Sequence, residues 1–139
     1  KNWTFRISKD GRKLTADSHQ VTAEYHSLLA LCCLDEMRKG RDVAVPYDAP
    51  QFLDSLAEEW GKKVLRYLST PADSSDLRAR QLAAKQPFVR DGLFLAVKIL
   101  AMMKEKNCTL ADLLSVLPKK FILKKTVRIS FSPTRNLRR

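Results

Sequence analysis

The alternation of strand-like and helix-like segments is the feature that most constrains the fold of this chain. Residues 42–46, "DVAVP", are almost entirely apolar, which is typical of a strand covered on both faces. A helix-like run, "QFLDSLAEEW" (51–60), follows and leads to a second strand-like segment, "KVLRYL" (63–68). Because strand and helix alternate, we expect an α/β fold: a three-layer α/β/α sandwich around a mainly parallel, mixed sheet.

The N-terminal segments predict a strand, a turn and a long helix. Residues 3–14, "WTFRISKDGRKL", alternate between apolar and polar before an Asp-Gly turn. Residues 18–40 carry apolar side chains at helical spacing, and Gly40 follows the basic last turn as a C-cap.

The second half of the chain predicts three helices. One ends near residue 85, and the next spans about 90–106, "RDGLFLAVKILAMMKEK". In the last helix, Thr109 and Asp112 approximate a capping box. The apolar positions of the middle helix include Leu93, Val97, Leu100 and Met103.

The positive charge of the chain is concentrated at its C-terminal end. The formal net charge is +11, and residues 119–139 hold eight basic residues and no acidic one. Residues 1–118 therefore carry 18 basic and 15 acidic residues, a net of +3, and are predicted to form the folded domain. The basic segment 119–139 is predicted to be a strand or linker. It could contact the phosphates of a nucleic acid, or it could be a solvated linker.

Cysteine and histidine patterns do not predict a metal or redox site. Cys32 and Cys33 are adjacent in a helix-like run, where neighbouring side chains point about 100° apart, so reduced packing residues are expected. His19 and His26 are seven residues apart, whereas a two-histidine metal site usually has a spacing of three or four. No P-loop, GxGxxG, GxSxG or HExxH motif is present.

One loop has the composition of an anion-binding segment. "LSTPADSS" (68–75) follows a predicted parallel strand, and ligands of α/β proteins bind beyond the carboxyl ends of such strands. The N-terminus of the next helix favours a phosphate. The hydroxyl-bearing residues of the loop are equally typical of caps and turns: Ser69, Thr70, Ser74 and Ser75.

Four stretches within residues 3–130 resemble one known family. They are "KDGRKL", "VAVPYDAPQFLDSLAEEWGKKVLRYLSTP", "RDGLFLAVKILAMMKEKNCTLADLLSVLPKKF" and "KKTVRIS". Together they resemble the third α/β/α domain of the α-D-phosphohexomutase superfamily, which includes phosphomannomutase and phosphoglucomutase. The chain is especially similar to the mutase-like region fused to bacterial sugar-nucleotidyltransferases of the mannose-1-phosphate guanylyltransferase type.

The resemblance implies substrate-binding roles for three residues. Arg66 stands at the position of a common family arginine, and Ser69 and Thr70 fall in the loop that approaches the sugar phosphate. Tyr67 and Leu68 replace the family's usual Thr and Lys. The family's Gly-Gly-Glu-x-Ser-Gly loop, whose Glu reads sugar hydroxyls, belongs between Lys85 and Phe88. The chain lacks it, either through deletion or because the segment is omitted from this sequence.

The resemblance predicts no catalytic residue and no metal or cofactor in this chain. Neither the family's phosphoserine loop nor its fourth-domain clamp is matched, and Lys1-Asn2-Trp3 lacks the closing Asp-Arg of the Mg²⁺ loop. Mg²⁺ is expected only in an active full-length parent.

We therefore expect an inactive domain of a phosphohexomutase-like, cytoplasmic protein with no membrane segment. It would contribute to a sugar-phosphate cleft or to structure, with residues 119–139 leading towards a missing C-terminal domain. Its partners would be a sugar phosphate and the other domains of the parent chain. The alternatives are a nucleic-acid-binding module that uses residues 119–139 and a scaffold that mediates oligomerisation.

Overall fold

The computed structural model describes residues 3–18, 22–68 and 76–117. Helices and strands alternate there, so the predicted mixed α/β class is confirmed. The elements in chain order are β1 (Thr4–Ile7), β2 (Leu14–Asp17), β3 (Thr22–Ala23), α1 (Tyr25–Arg38), β4 (Val43–Pro46), α2 (Phe52–Glu59), β5 (Val64–Tyr67), α3 (Leu77–Ala84), a 3-10 helix (Pro87–Val89), α4 (Gly92–Lys106) and α5 (Leu110–Leu114).

The described strands form two small sheets. β1, β2 and β3 pair antiparallel in that order, with β1 at one edge. β4 and β5 pair parallel, from Val43 opposite Val64 to Pro46 opposite Tyr67, with α2 as the connection. The parallel βαβ unit therefore forms from the two segments that predicted it, whereas one larger sheet in three layers stays a prediction.

α1 is the central element of the core. Every residue from Ser27 to Met37 is buried, as expected for a helix that is apolar on nearly all sides. The predicted start of this helix near residue 18 was wrong, because α1 begins at Tyr25. Thr22 instead pairs with β2, where its hydroxyl donates to the Asp17 carboxylate at 2.7 Å.

Two capping signals of the sequence, the glycine after α1 and the capping box of α5, are confirmed. Gly40 follows α1 with a φ of 87°, in the left-handed region that glycine adopts readily. The side chain of Thr109 accepts from the Asp112 N–H at 3.1 Å, and the Asp112 carboxylate accepts from the Thr109 N–H at 3.0 Å. Asp91 caps α4 by accepting from the Leu93 N–H at 2.8 Å.

The apolar residues of α4 lie on two faces rather than one. The face toward the core carries Leu95, Ala96, Ile99 and Met102. Leu93, Val97 and Leu100, three of the apolar positions found in the sequence, are instead 58%, 55% and 49% exposed. Neither α4 nor any other described helix has the length and apolarity needed to cross a membrane.

A buried polar junction joins α1, α4 and the turn before the 3-10 helix. The Lys98 ammonium on α4 lies 3.1 Å from the Asp35 carboxylate and 3.0 Å from the Glu36 carboxylate, both on α1. Arg41 donates to Glu36 at 2.6 Å, and the Gln86 side-chain amide donates to it at 3.3 Å. Because the two carboxylates are nearly inaccessible to solvent, these partners replace the water they lose on folding.

Gln86 also closes the free edge of β4. Its side-chain oxygen accepts from the Ala44 N–H at 3.1 Å, and its side-chain nitrogen donates to the Asp42 carbonyl at 2.9 Å. Both backbone groups point away from β5, so the amide takes the place that a neighbouring strand would occupy. The main chain around it is a tight turn, since the Lys85 N–H donates to Leu82 and the Gln86 N–H to Ala83.

Replacing Gln86 by Leu is expected to destabilise the protein strongly. The change leaves the buried Ala44 N–H and the partly buried Asp42 carbonyl without their partner, at a cost of about 2–4 kcal/mol for the two groups. Urea unfolding followed by circular dichroism measures the change. Gln81→Leu, on the exposed face of α3, is the matched control and is expected to stay within about 0.5 kcal/mol of wild type. Equal losses in the two variants would contradict the role of Gln86.

Stability is expected to fall in acid because of Glu36. Burial alone would raise the pKa of Glu36, but hydrogen bonds from Arg41 and Lys98 outweigh it and lower the pKa from 4.5 to about 2. The stabilisation is therefore present above pH 4.5 and is lost as the pH falls towards about 2. The size of the shift corresponds to roughly 3 kcal/mol. The urea midpoint of unfolding should therefore fall as the pH is lowered from 6 to 2.5.

The control for the acid prediction removes one carboxylate at a time. Glu36→Gln should be less stable at pH 6 and should lose part of the dependence of stability on pH. It should not lose all of it, because the pKa of Asp35 in the same junction, which burial alone would raise, is also lowered by its contacts with Lys39 and Lys98. Glu59→Gln, at the exposed end of α2, removes a carboxylate without touching the junction. A pH dependence that survives unchanged in Glu36→Gln would show that other groups set the acid limit.

Candidate functional site

A cleft of about 660 Å³ lies where β4 and β5 end, in the size range of small-molecule sites. This is the edge of a parallel sheet at which α/β proteins bind ligands. The cleft draws on the β1–β2 turn, α1, the segments after β4 and β5, α3 and the turn before α4. The residues used below are Asp10, Arg12, Lys13, Tyr25, His26, Tyr47, Asp48, Tyr67, Arg80 and Arg90.

Tyr67 lies among the positively charged residues of this cleft. It is the last residue of β5 and is 8% exposed, and its hydroxyl donates to the Val89 carbonyl at 3.5 Å. Burial raises the pKa of Tyr67, while the positive charges of Arg90, Arg12 and Arg80 act in the opposite direction. These three arginines come from three separate segments and line the same cleft as Tyr67. Such a convergence of positive charge favours an anion.

The β1–β2 turn holds Arg12 and Lys13 at the cleft through local hydrogen bonds. Ser8 donates to the Asp10 carboxylate at 2.6 Å, and the Arg12 N–H donates to the same oxygen at 3.1 Å. These bonds lower the pKa of Asp10, with the Ser8 bond as the larger cause. Gly11 completes the turn with a φ of 76°. The Asp10-Gly11 pair that predicted this turn therefore also stabilises it.

The same turn docks onto the start of α4. The Gly92 N–H donates to the Gly11 carbonyl at 2.7 Å. A Cβ added to Gly92 would lie 2.6 Å from the Lys13 carbonyl oxygen and 3.2 Å from Cγ2 of Ile7. Glycine is therefore required for this approach, which brings Arg12 and Arg90 to one cleft.

Arg80 and Asp76 hold together the two ends of the segment 69–75, which lies outside the described residues. The Asp76 carboxylate accepts from the Leu68 N–H at 2.8 Å and from Arg80 at 3.0 Å. Arg80 also donates to the Leu68 carbonyl. The bond from Leu68, with the help of Arg80, lowers the pKa of Asp76. The loop that the sequence singled out for anion binding thus starts and ends at the cleft.

The cations of the cleft differ in how far the protein already uses them. Arg80 is engaged as described, and the Lys13 ammonium lies 5.7 Å from the centre of the Tyr25 ring. Arg12 and Arg90 are exposed, and their guanidinium groups have no hydrogen bond or ion pair with any residue that the structure describes. These two side chains can turn to a ligand without losing a protein contact.

Aromatic and acidic groups line the rest of the cleft. Tyr25 and His26, at the start of α1, have ring centres 5.4 Å apart. Burial is the main reason that the pKa of Tyr25 is raised, so its hydroxyl stays protonated and can donate. Tyr47 follows β4 directly and is 68% exposed, and the exposed Asp48 lies beside it. The cleft therefore offers one ring face and one carboxylate in addition to its cations.

Arg66, one of the three predicted substrate-binding residues, is not among the residues that line the cleft. Its guanidinium donates to the Ala49 carbonyl at 3.2 Å, to the Pro50 carbonyl at 3.3 Å and to the Asp54 carboxylate at 2.5 Å. These contacts fasten β5 to the start of α2. Ser69 and Thr70 lie outside the described residues, as does His19. The substrate role of the three predicted residues stays a prediction.

The cysteines are packing residues of the core or its edge, and the described acidic residues show no metal-site geometry. Cys32 and Cys33 are fully buried and unpaired, and burial raises the pKa of both, that of Cys33 to about 12. Within residues 3–18, 22–68 and 76–117, no three His, Cys, Asp or Glu side chains come together in a way that could hold a metal ion.

The sequence did not single out Arg12, Tyr67 or Arg90 as a site. Arg12 belongs to a turn motif and Arg90 to a helix start, and the two are 78 positions apart in the chain. The rule that ligands bind beyond the carboxyl ends of parallel strands pointed to the right edge of the sheet. It could not identify which distant cations fold onto that edge.

Comparison with protein families, with curated proteins and with solved structures finds no match to this chain. The family resemblance therefore stays a prediction from the sequence.

Replacing Gly92 by Ala is expected to destabilise the protein by about 1–3 kcal/mol, because the added Cβ overlaps the Lys13 carbonyl. The direction of the change in the free energy of unfolding is diagnostic, since Gly→Ala within a helix is otherwise stabilising by about 0.5–1 kcal/mol. Urea unfolding measures it, with Ala101→Gly on the exposed face of α4 as the reference for an ordinary helical glycine. A Gly92→Ala variant as stable as wild type would mean that the β1–β2 turn does not rest on α4.

Proposed function

We propose that this chain is a sugar-phosphate-binding domain of a phosphohexomutase-like protein, and that the cleft at the ends of β4 and β5 is its binding site. The observation that carries the proposal is that Arg12, Arg80 and Arg90, from three separate segments, line one cleft. The guanidinium groups of Arg12 and Arg90 have no hydrogen bond or ion pair with the described residues, so both are available to an anionic ligand.

The phosphate of the ligand would bind on the arginine side of the cleft. A guanidinium group can donate two parallel hydrogen bonds to a phosphate. Lys13 adds a fourth positive charge, and the carboxylate of Asp10 turns inward to its own turn rather than toward the ligand. The local balance of charge is therefore positive.

The sugar ring would bind toward Tyr47 and Asp48. An exposed aromatic ring offers an apolar face to the C–H groups of a pyranose, and a carboxylate accepts hydrogen bonds from hydroxyl groups. A ligand with one phosphate and several hydroxyls therefore fits the cleft better than inorganic phosphate alone. The segment 69–75, which includes Ser69 and Thr70, would add further contacts from the loop whose ends Arg80 and Asp76 hold.

The proposal extends to the architecture and to the parent protein. The β4–β5 pair would be part of a mixed sheet in a three-layer α/β/α sandwich, and the other domains of a cytoplasmic parent chain would complete the cleft. This domain would be inactive alone and would contain no cofactor, while an active parent would use Mg²⁺. Mg²⁺-dependent phosphomannomutase turnover by the isolated polypeptide would contradict that part of the proposal.

A second proposal, nucleic-acid binding, rests on the eight basic residues in 119–139. Filter binding of a DNA or RNA duplex over a salt series distinguishes it from the first. A steep salt dependence that disappears when the lysines of this segment are changed to glutamine would favour nucleic-acid binding. Weak binding with the same salt dependence in the wild-type protein and the glutamine variant would count against nucleic-acid binding.

Arg90→Gln is expected to weaken the binding of mannose 1-phosphate and glucose 1-phosphate at least tenfold, since a charge-assisted hydrogen bond contributes about 1.5–3 kcal/mol. Amide shifts followed during a titration give the affinity, and the shifts of Gly11, Tyr67 and Arg90 locate the ligand. Unphosphorylated mannose should bind more weakly than either sugar phosphate.

The matched control is Arg78→Gln, an exposed arginine of α3 that is not among the cleft residues. It should change the affinity less than twofold. Equal losses in Arg78→Gln and Arg90→Gln would show that net charge alone attracts the ligand. Shifts confined to other parts of the chain would overturn the proposed site.

A further inference from the structure

The outer face of α4 carries a continuous apolar surface. We define the α4 stripe as Leu93, Phe94, Val97 and Leu100, whose exposed fractions are 58%, 51%, 55% and 49%. On a helix with 100° per residue, these four and Ala101 lie within a sector of roughly 120°. Charged residues return to this face only at Lys104 and Glu105. The stripe therefore runs from the second to the ninth of the fifteen residues of α4.

Packing within the described chain does not explain the stripe. The opposite side of α4, with Leu95 and Ile99 fully buried, already contacts α1. A contiguous apolar patch on a folded protein marks a surface that another segment or molecule covers. At the N-terminal end the apolar surface continues to Ile7, which is 45% exposed and lies beside Gly92.

The segment that follows α5 has the pattern of a strand with one apolar face. At the odd positions from 121 to 131 every residue except Lys125 is apolar: Phe121, Leu123, Val127, Ile129 and Phe131. The even positions hold Lys124, Thr126, Arg128 and Ser130, with Ile122 as the one apolar residue among them. Period-two alternation of this kind leaves one face that needs burial.

The position of α5 brings this segment within reach of the stripe. α5 starts four residues after the end of α4 and packs against both α4 and α1, so the chain at Leu117 leaves near the C-terminal end of α4. The fifteen residues of α4 extend about 22 Å. An extended chain covers that distance in about seven residues, and residues 118–131 are twice as many.

We propose that residues 121–131 fold back along α4 and cover the α4 stripe with the apolar face formed by their odd positions. The basic even positions then face solvent, and this accounts for a segment that is both strongly basic and regularly apolar. This inference is independent of the ligand of the cleft, because it rests on the outer face of α4.

The test uses methyl NMR of the full chain and two substitutions in neighbouring residues of the segment. Ile129→Asp places a charge on the apolar face, whereas Ser130→Asp places the same charge on the opposite face. We expect Ile129→Asp to shift the methyl signals of Leu93, Val97 and Leu100, and Ser130→Asp to leave them in place. Hydrogen exchange of amides 121–131 should accelerate at least tenfold in Ile129→Asp only.

The reciprocal change, Val97→Asp, should accelerate exchange of the same amides, with Lys104→Asp as its control on the same face of α4. Because Val97 is exposed, this substitution leaves the core intact. Unprotected amides at 121–131 in the wild-type chain would overturn the proposal. Methyl shifts that depend on protein concentration would overturn it too, since a second copy would then be the occupant.

Discussion

The buried junction of Lys98 with Asp35 and Glu36 is the interaction on which the rest of the structure depends. It joins the central helix α1 to α4, and through Gln86 it reaches the edge of β4. A buried carboxylate without partners is very costly, so α4 and the turn at Gln86 have one arrangement that satisfies both acids. That arrangement fixes the positions of the elements that surround the cleft.

The cleft follows from this arrangement by a short chain of contacts. Once α4 is fixed, its first residue, Gly92, receives the β1–β2 turn and with it Arg12. The residue two positions before Gly92 is Arg90, so the same contact brings the two unpaired guanidinium groups to one cleft. The positive charge of the site is thus a consequence of packing on α4. The strands contribute Tyr67, the last residue of β5, to the lining of the cleft.

Local features of the fold could be predicted from the sequence, and long-range ones could not. The capping box at Thr109, the cap at Gly40 and the parallel βαβ unit depend on a few neighbouring residues, whose chemistry is visible in the sequence. The start of α1 was misplaced because Thr22 pairs with β2, a partner that helical periodicity does not reveal. The exposed positions of α4 were not foreseen for the same reason, since periodicity identifies apolar faces without showing what covers them.

The junction at Lys85 and Gln86 connects the missing-loop hypothesis to the extent of the sheet. The side chain of Gln86 satisfies Ala44 and Asp42, the two backbone groups that an additional strand on that side of β4 would need first. A third strand of the proposed α/β/α sandwich would therefore have to pair with β5, or displace Gln86 and leave Glu36 with one donor fewer. A family loop inserted before Gln86 would leave this amide in place, because its contacts belong to the turn that follows the insertion point. The absence of the loop would thus remove contacts to the sugar hydroxyls and leave the packing around Gln86 unchanged.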